Sequence, residues 1–162
     1  MKTDRDGTDV VAIADAIAVQ AHQGQTDKLG NDYIEHPRSV ARRVDQSNPA
    51  AIAAALLHDV VEDSEMTPAD LADQGIPADV IASVELLTRR DDVSDDDYYA
   101  AIVKDAVALE VKLADLADNT DPSRLGLLDE ATQRKLTTKY AKAYRALGRD
   151  DLAVALAQRH PA

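Results

Sequence analysis

The segment Leu56-Leu57-His58-Asp59-Val60-Val61-Glu62-Asp63 closes an apolar run with four ionisable residues at i, i+1, i+4 and i+5. Continued as one helix, it stacks His58 over Glu62 and Asp59 over Asp63, crowding all four along one edge at the C-terminal end. That end is the negative pole of the helix dipole, so three carboxylates there repel it and one another. A divalent cation would offset the charge. For an isolated His-Asp pair the plainer reading is a solvated acidic helix end that follows a buried histidine.

Two other places weigh against the plainer reading. His36 precedes Pro37 at the start of another helix, where the proline restricts its backbone. Asp115 ends Val111-Lys112-Leu113-Ala114-Asp115, an apolar helix face that should not hold an acid without a partner. Asn119 follows one turn on, on the same face. His36, His58, Asp59 and Asp115 together make a mixed nitrogen and oxygen ligand set without sulfur. Such a set suits Mn2+, Fe2+, Zn2+ or Co2+ and leaves positions for water and substrate oxygens.

The chain carries Ala21-His22-Gln23-Gly24-Gln25, Lys28, Gly30 and Tyr33-Ile34-Glu35-His36-Pro37, in that order. The His58-Asp59 segment with Glu62-Asp63 comes next, then Val111–Asp115 with Asn119. This succession resembles the HD-domain metal-dependent phosphohydrolases. Within them it is similar to the hydrolase domain of the RelA/SpoT-type alarmone enzymes and to the stand-alone small alarmone hydrolases.

The resemblance implies an all-α HD-type helical bundle with one divalent metal ion, usually Mn2+, on His36, His58, Asp59 and Asp115. It implies hydrolysis of the 3′-diphosphate of (p)ppGpp, giving GDP or GTP and pyrophosphate. Glu62 and Asp63 match the pair that orients and deprotonates the attacking water, Asn119 a contact to the substrate sugar or phosphate, and Lys28 a residue beside the nucleotide base. The chemistry is coherent, since a bound cation lowers the pKa of its water to roughly 7. Glu62 or Asp63 then takes the proton if crowding raises its pKa; which of the two does so stays open.

The family usually has a basic pair before the loop glycine and a proline before the tyrosine. Here Asp27 stands beside Lys28, and Asp32 precedes Tyr33. These departures keep a second substrate open, another nucleotide phosphoester. A non-catalytic nucleotide- or metal-binding module is the third reading; it would require loss of a ligand or of the Glu62/Asp63 pair, and neither is lost.

Lys112, three residues before Asp115, reads either as a helix ion pair or as a group that neutralises substrate phosphate. Arg124, soon after Asn119, is the first choice for a phosphate contact. Arg42, Arg43, Arg89, Arg90 and Lys139 read as surface charges, His22 as a histidine that supports the fold or a neighbouring ligand rather than a ligand itself, and Tyr140 and Tyr144 as core residues. His160, beside the C-terminus, reads as disordered. Asp91–Asp97 lacks the spacing and glycine of a calcium loop and reads as a solvated connection.

The elements that must position these groups are helical. Val10, Val11, Ala14, Ile17, Ala18 and Ala21 recur at helical spacing up to a stop near Gly24, and a loop follows to Tyr33. Pro37 suits the first turn of a helix to about Val44. Ser47-Asn48-Pro49 caps an apolar helix over Ala50–Val61, and Thr67-Pro68 with Asp70 starts a short one. Ala78–Thr88 is helical and Arg89–Asp97 a charged loop. Tyr98–Lys104 and Ala106–Asn119 form two helices or one bent one, Asp121-Pro122-Ser123 breaks the chain, and Asp129–Leu147 and Asp150–Gln158 close it. No strand is expected.

Composition sets the outer bounds. The 162 residues suit one domain, with the motifs over about residues 10–125 and C-terminal helices over about 129–158. With no Phe, Trp or Cys, the core must be built from Ala, Val, Leu and Ile, and thiolate chemistry is excluded. A net charge of −12 repels nucleic-acid backbones and demands a local cation for any anionic substrate. No run approaches the roughly 18 apolar residues of a membrane span, so a cytoplasmic protein is expected; that its partner is a small-molecule nucleotide is what the resemblance implies. Oligomeric state is not legible.

Overall fold

A computed structural model describes residues 3–159, with side chains from Asp9 onward. Among the described residues the helices are α1 (Thr3–Ala21), α2 (Glu35–Arg43), α3 (Pro49–Leu57), α4 (Val60–Asp63), α5 (Pro68–Asp73), α6 (Ala78–Leu87), α7 (Asp95–Val103), α8 (Ala106–Asn119), α9 (Pro122–Leu125), α10 (Glu130–Ala146) and α11 (Asp150–Arg159). The all-α expectation holds, with one isolated bridge between Thr26 and Asp32. No described helix is long and apolar enough to cross a membrane. His160 lies outside the described residues.

α3 organises the packing. It is apolar on every side, and such a helix must sit inside. Ala51, Ala53, Ala54, Ala55, Leu56 and Leu57 are all buried, and α3 packs against α1, α2, α6 and α8. Alanine on so many faces lets the neighbouring helices approach closely, which answers the lack of large aromatics. Asn48 caps the start of α3 by accepting from Ala51 N–H, and Thr67 with Asp70 forms a complete capping box on α5, both as the sequence indicates.

The structure corrects several of the expected boundaries. The apolar helix stops at Leu57 instead of running to Val61, because the His58 imidazole donates to the Ala55 carbonyl at 2.6 Å. That carbonyl is the one a continuing helix would offer to the Asp59 amide. His58 and Asp59 therefore form a two-residue junction, and Glu62 and Asp63 fall in the separate short α4. Asp59, Glu62 and Asp63 still crowd, with carboxylate oxygens within 4.8 Å of one another, but on the junction and α4 rather than at the end of one continuous helix.

The charged stretch Arg89–Asp97 is not all loop either. Ser94 accepts from Asp97 N–H and starts α7 at Asp95, so three aspartates occupy a first helical turn, where the dipole favours them. The Asp121-Pro122-Ser123 break holds the short α9, begun by Asp121 accepting from Ser123 N–H. Asp105 caps α8 through Ala108 N–H, which makes α7 and α8 two helices rather than one bent one.

Candidate metal centre

Three elements deliver the predicted ligand atoms to one point: α2 brings His36, the α3–α4 junction brings His58 and Asp59, and α8 brings Asp115. His36 Nε2 lies 2.9 Å from Asp115 Oδ1, and His58 Nε2 lies 3.5 Å from the same oxygen. Asp59 Oδ2 stands 3.1 Å from His58 Nε2 and 3.9 Å from His36 Nε2. A first-row divalent ion bonds nitrogen and oxygen at about 2.0–2.2 Å, so neighbouring ligands on one ion stand about 3 Å apart and opposed ones about 4 Å. The observed spacings fit that pattern. His36, His58 and Asp115 form a buried group that could hold a metal ion. Asp59 belongs geometrically to a second group with Glu62 and Asp63.

The chemistry of the donors points the same way. His58 Nδ1 is taken by the Ala55 carbonyl, and His58 Nε2 is buried without a hydrogen-bond partner while facing carboxylate oxygens. A neutral lone pair aimed at carboxylates is repelled unless positive charge lies between them. Burial pushes the pKa values of both imidazoles down, but the facing carboxylates win and raise them: Asp115 and Asp118 for His36, Asp59 and Asp115 for His58. Asp115 is depressed well below the usual carboxylate range despite its burial, chiefly by the Lys112 ammonium and the two imidazoles. The donor set asks for a cation, and a divalent ion fits it.

Asp115 is further held by Asn119 Nδ2 at 3.0 Å and by Lys112 Nζ at 3.1 Å, so the Lys112–Asp115 ion pair forms. Lys112 also faces the cavity beside the centre. This cavity, ≈ 450 Å³, is lined by Lys28, His36, Asp59, Glu62, Lys112, Asp115, Asn119 and Arg124 among others. His58 and Asp63 are not part of its wall. Glu62 Oε1 accepts the Arg89 backbone N–H at 2.7 Å, which fixes the carboxylate at the edge of the cavity. Asp63 has its pKa raised by burial and by Asp59 and Glu62, and its carbonyl accepts from Gln25 Nε2 at 2.9 Å.

Several cavity residues escape the sequence reading. Arg89 and Lys139, read as surface charges, line it, as do Tyr99 and Tyr140; Tyr144 is in the core as expected. The Arg89 guanidinium lies 4.1 Å from the Tyr98 ring centroid and donates to Tyr99 Oη at 3.0 Å. Only the folding of α7 and α10 toward α8 reveals these groups. In a chain of net charge −12, the walls bring together Lys28, Arg89, Lys112, Arg124 and Lys139.

Asp118 is the other omission. It is 2% exposed and receives His36 Nδ1 at 2.7 Å and Arg124 Nη1 at 2.8 Å on Oδ2, with Ser39 Oγ at 2.5 Å on Oδ1. Its place at i+3 from Asp115 on an apolar helix was the available signal. Asp27, the departure beside Lys28, spends Oδ1 on the backbone N–H groups of Leu29 and Asn31, both at 2.9 Å. It closes the turn that Gly30, at φ 84, completes. His22 is a buried structural histidine, with Nδ1 2.9 Å from Gln25 Oε1.

No family model matches the chain. Over 144 residues, 81% of its length, it is 31% identical to a guanosine-3′,5′-bis(diphosphate) 3′-pyrophosphohydrolase of Vibrio cholerae and to the bifunctional (p)ppGpp synthase/hydrolase SpoT of Escherichia coli. A GTP pyrophosphokinase of Streptomyces coelicolor is 35% identical over 116 residues, 64% of the chain and 13% of that relative. The chain spans about a fifth of the length of the first two relatives, 20% in each case. A solved structure of a metazoan ortholog of SpoT that hydrolyzes ppGpp superposes with a TM-score of 0.71 at 19% identity, covering 99% of this chain and 98% of that one. Similarity over four-fifths of the sequence and a shared helical fold make the chain an HD-type domain of the RelA/SpoT group.

Proposed function

We propose that the chain is a metal-dependent phosphohydrolase that removes the 3′-diphosphate of a guanosine bis(diphosphate), as its relatives' names describe for them. One observation carries the reading: the His36, His58 and Asp115 group lies against a cavity whose walls gather five cationic side chains in an acidic protein. In this reading His36, His58, Asp59 and Asp115 hold one divalent ion, with Mn2+ the first choice and Fe2+, Zn2+ or Co2+ compatible with the same donors. Bound there, the ion supplies Lewis acidity to a phosphoryl oxygen and lowers the pKa of water.

The chain's own groups do the rest. Hydrolysis adds hydroxyl to phosphorus, breaks the bond from phosphorus to the sugar 3′-oxygen, and returns a proton to that oxygen. Glu62, anchored through Oε1 by Arg89 N–H, keeps its other oxygen free to orient the attacking water. Asp63, whose pKa is raised by burial and by Asp59 and Glu62, stands beside it, and one of these two carboxylates takes up the proton. Lys28 sits by the base, Asn119 by the sugar, and Lys112 and Arg124 meet the phosphates, joined by Arg89 and Lys139. In this reading the partner is a small nucleotide met in the cytoplasm, rather than nucleic acid or a membrane.

A second substrate, another nucleotide phosphoester, is favoured by Asp27, which leaves Lys28 as the one cation of that turn. A nucleotide panel with Mn2+ separates the two. Pyrophosphate released from ppGpp supports the first reading. Orthophosphate from a nucleoside monophosphate, with ppGpp untouched, replaces it with the second, and no turnover of any nucleotide with any divalent ion overturns both.

A further inference from the structure

His36, Ser39 and Arg43 lie at i, i+3 and i+7 on α2, a single helical stripe, and all three converge on Asp118 of α8. Arg124, from α9, completes the set. Every contact that Asp118 makes is with a donor. Oδ2 takes His36 Nδ1 and Arg124 Nη1, while Oδ1 takes Ser39 Oγ and, at 3.3 Å, Arg43 Nε. A carboxylate 2% exposed is costly to bury, and this one is met on both oxygens.

The two histidines of the centre are not oriented alike. His58 gives its Nδ1 proton to a neutral carbonyl, that of Ala55, whereas His36 gives its own to a carboxylate. A carboxylate there fixes the tautomer, points the Nε2 lone pair at Asp115, and makes that nitrogen a stronger donor toward a cation. Arg124 Nη1 also lies 3.1 Å from His36 Nδ1, while its Nη2 lies 3.7 Å from Asp27 Oδ2.

We infer that Asp118 is a positioning residue for the metal centre, holding His36 in the one tautomer and orientation in which Nε2 serves as a ligand. The inference rests on the metal-centre reading above. It concerns the grip on the ion rather than the identity of the substrate.

Asp118→Asn tests it at constant volume, because it removes the charge and leaves a single accepting oxygen for the four donors around it. Titrating Mn2+ into metal-stripped protein by calorimetry should show affinity about 10–100-fold weaker than wild type, the scale set by loss of an outer carboxylate partner. Arg43→Gln removes a donor from the same carboxylate without touching His36, so it should lower the thermal midpoint and leave Mn2+ affinity unchanged. If Asp118→Asn weakens Mn2+ no more than Arg43→Gln does, Asp118 merely supports the fold and the inference fails. Should Asp118→Asn not fold, 15N spectra of the Zn2+-loaded wild type decide: a protonated His36 Nδ1 supports the inference, and a metal-bound Nδ1 overturns it. Wild type that binds no divalent ion defeats the metal-centre reading and the inference together. Tight wild-type binding with an unaltered Asp118→Asn defeats the inference alone.

Discussion

Tyr33 donates its hydroxyl to Asp59 Oδ2 at 2.5 Å, tying the loop after α1 to the α3–α4 junction across 26 residues of chain. The same ring packs on His22 at 4.8 Å and edge-on to His36 at 5.8 Å between centroids. The hydroxyl is held firmly protonated by burial and by Asp59. One aromatic side chain thus braces a candidate ligand and steadies another.

Removing that hydroxyl should cost stability rather than shape. Hydrogen bonds to a charged group contribute about 1.5–3 kcal/mol, and Asp59 is largely buried. Urea denaturation of metal-stripped Tyr33→Phe should show a loss in that range. An unchanged midpoint would mean that the oxygen finds another donor.

Glu62→Gln keeps a carbonyl oxygen for the Arg89 amide but cannot take up a proton. The variant should retain its metal and lose turnover by about 10²–10⁴-fold, the scale of a general base. A comparable loss in Asp63→Asn would show that the two carboxylates share the work. Wild-type rates in Glu62→Gln would remove that residue from proton transfer.

Acid should act first through the caps and ion pairs. Asp121 is depressed from 3.8 to about 2 by the Ser123 hydroxyl and amide and by Arg43. A depressed carboxylate stabilises the fold above its unfolded pKa, and that stabilisation drains away as pH falls through the folded value. The window is therefore from about pH 4 down to about pH 2. Thermal midpoints of Asp121→Asn should fall less steeply across it than those of wild type. Parallel curves would rule out that linkage.

Lys139 lines the cavity from α10 without an ion-pair partner among the described residues. If it meets phosphate, Lys139→Gln should raise KM roughly tenfold, one charge-assisted contact, with little change in kcat. Steady-state kinetics check this, and an unaltered KM would place Lys139 outside the substrate's reach.

What could be read in advance follows from how local each signal is. The caps at Asn48 and at Thr67 with Asp70 depend on three or four adjacent residues, and they hold. So does the convergence on His36, His58 and Asp115, where acids and imidazoles stand out against apolar helix faces. The break at His58 is hidden because apolar residues flank His58 and Asp59 on both sides and the interruption depends on which way one imidazole turns. The start of α7 is hidden because a run of aspartates resembles a solvated loop until Ser94 is seen to cap it. Arg89, Lys139 and Tyr140 look like any surface or core residue until α7, α8 and α10 enclose the cavity, and Asp118 needs α2 beside it.

The central claim is that buried side chains from separate helices hold one catalytic cation. Elemental analysis of wild type and Asp115→Ala after loading with Mn2+ and desalting tests it most directly, with pyrophosphate release measured on the same samples. One ion per chain and turnover are expected in wild type, and neither in the variant. A metal-replete, active Asp115→Ala would contradict the claim.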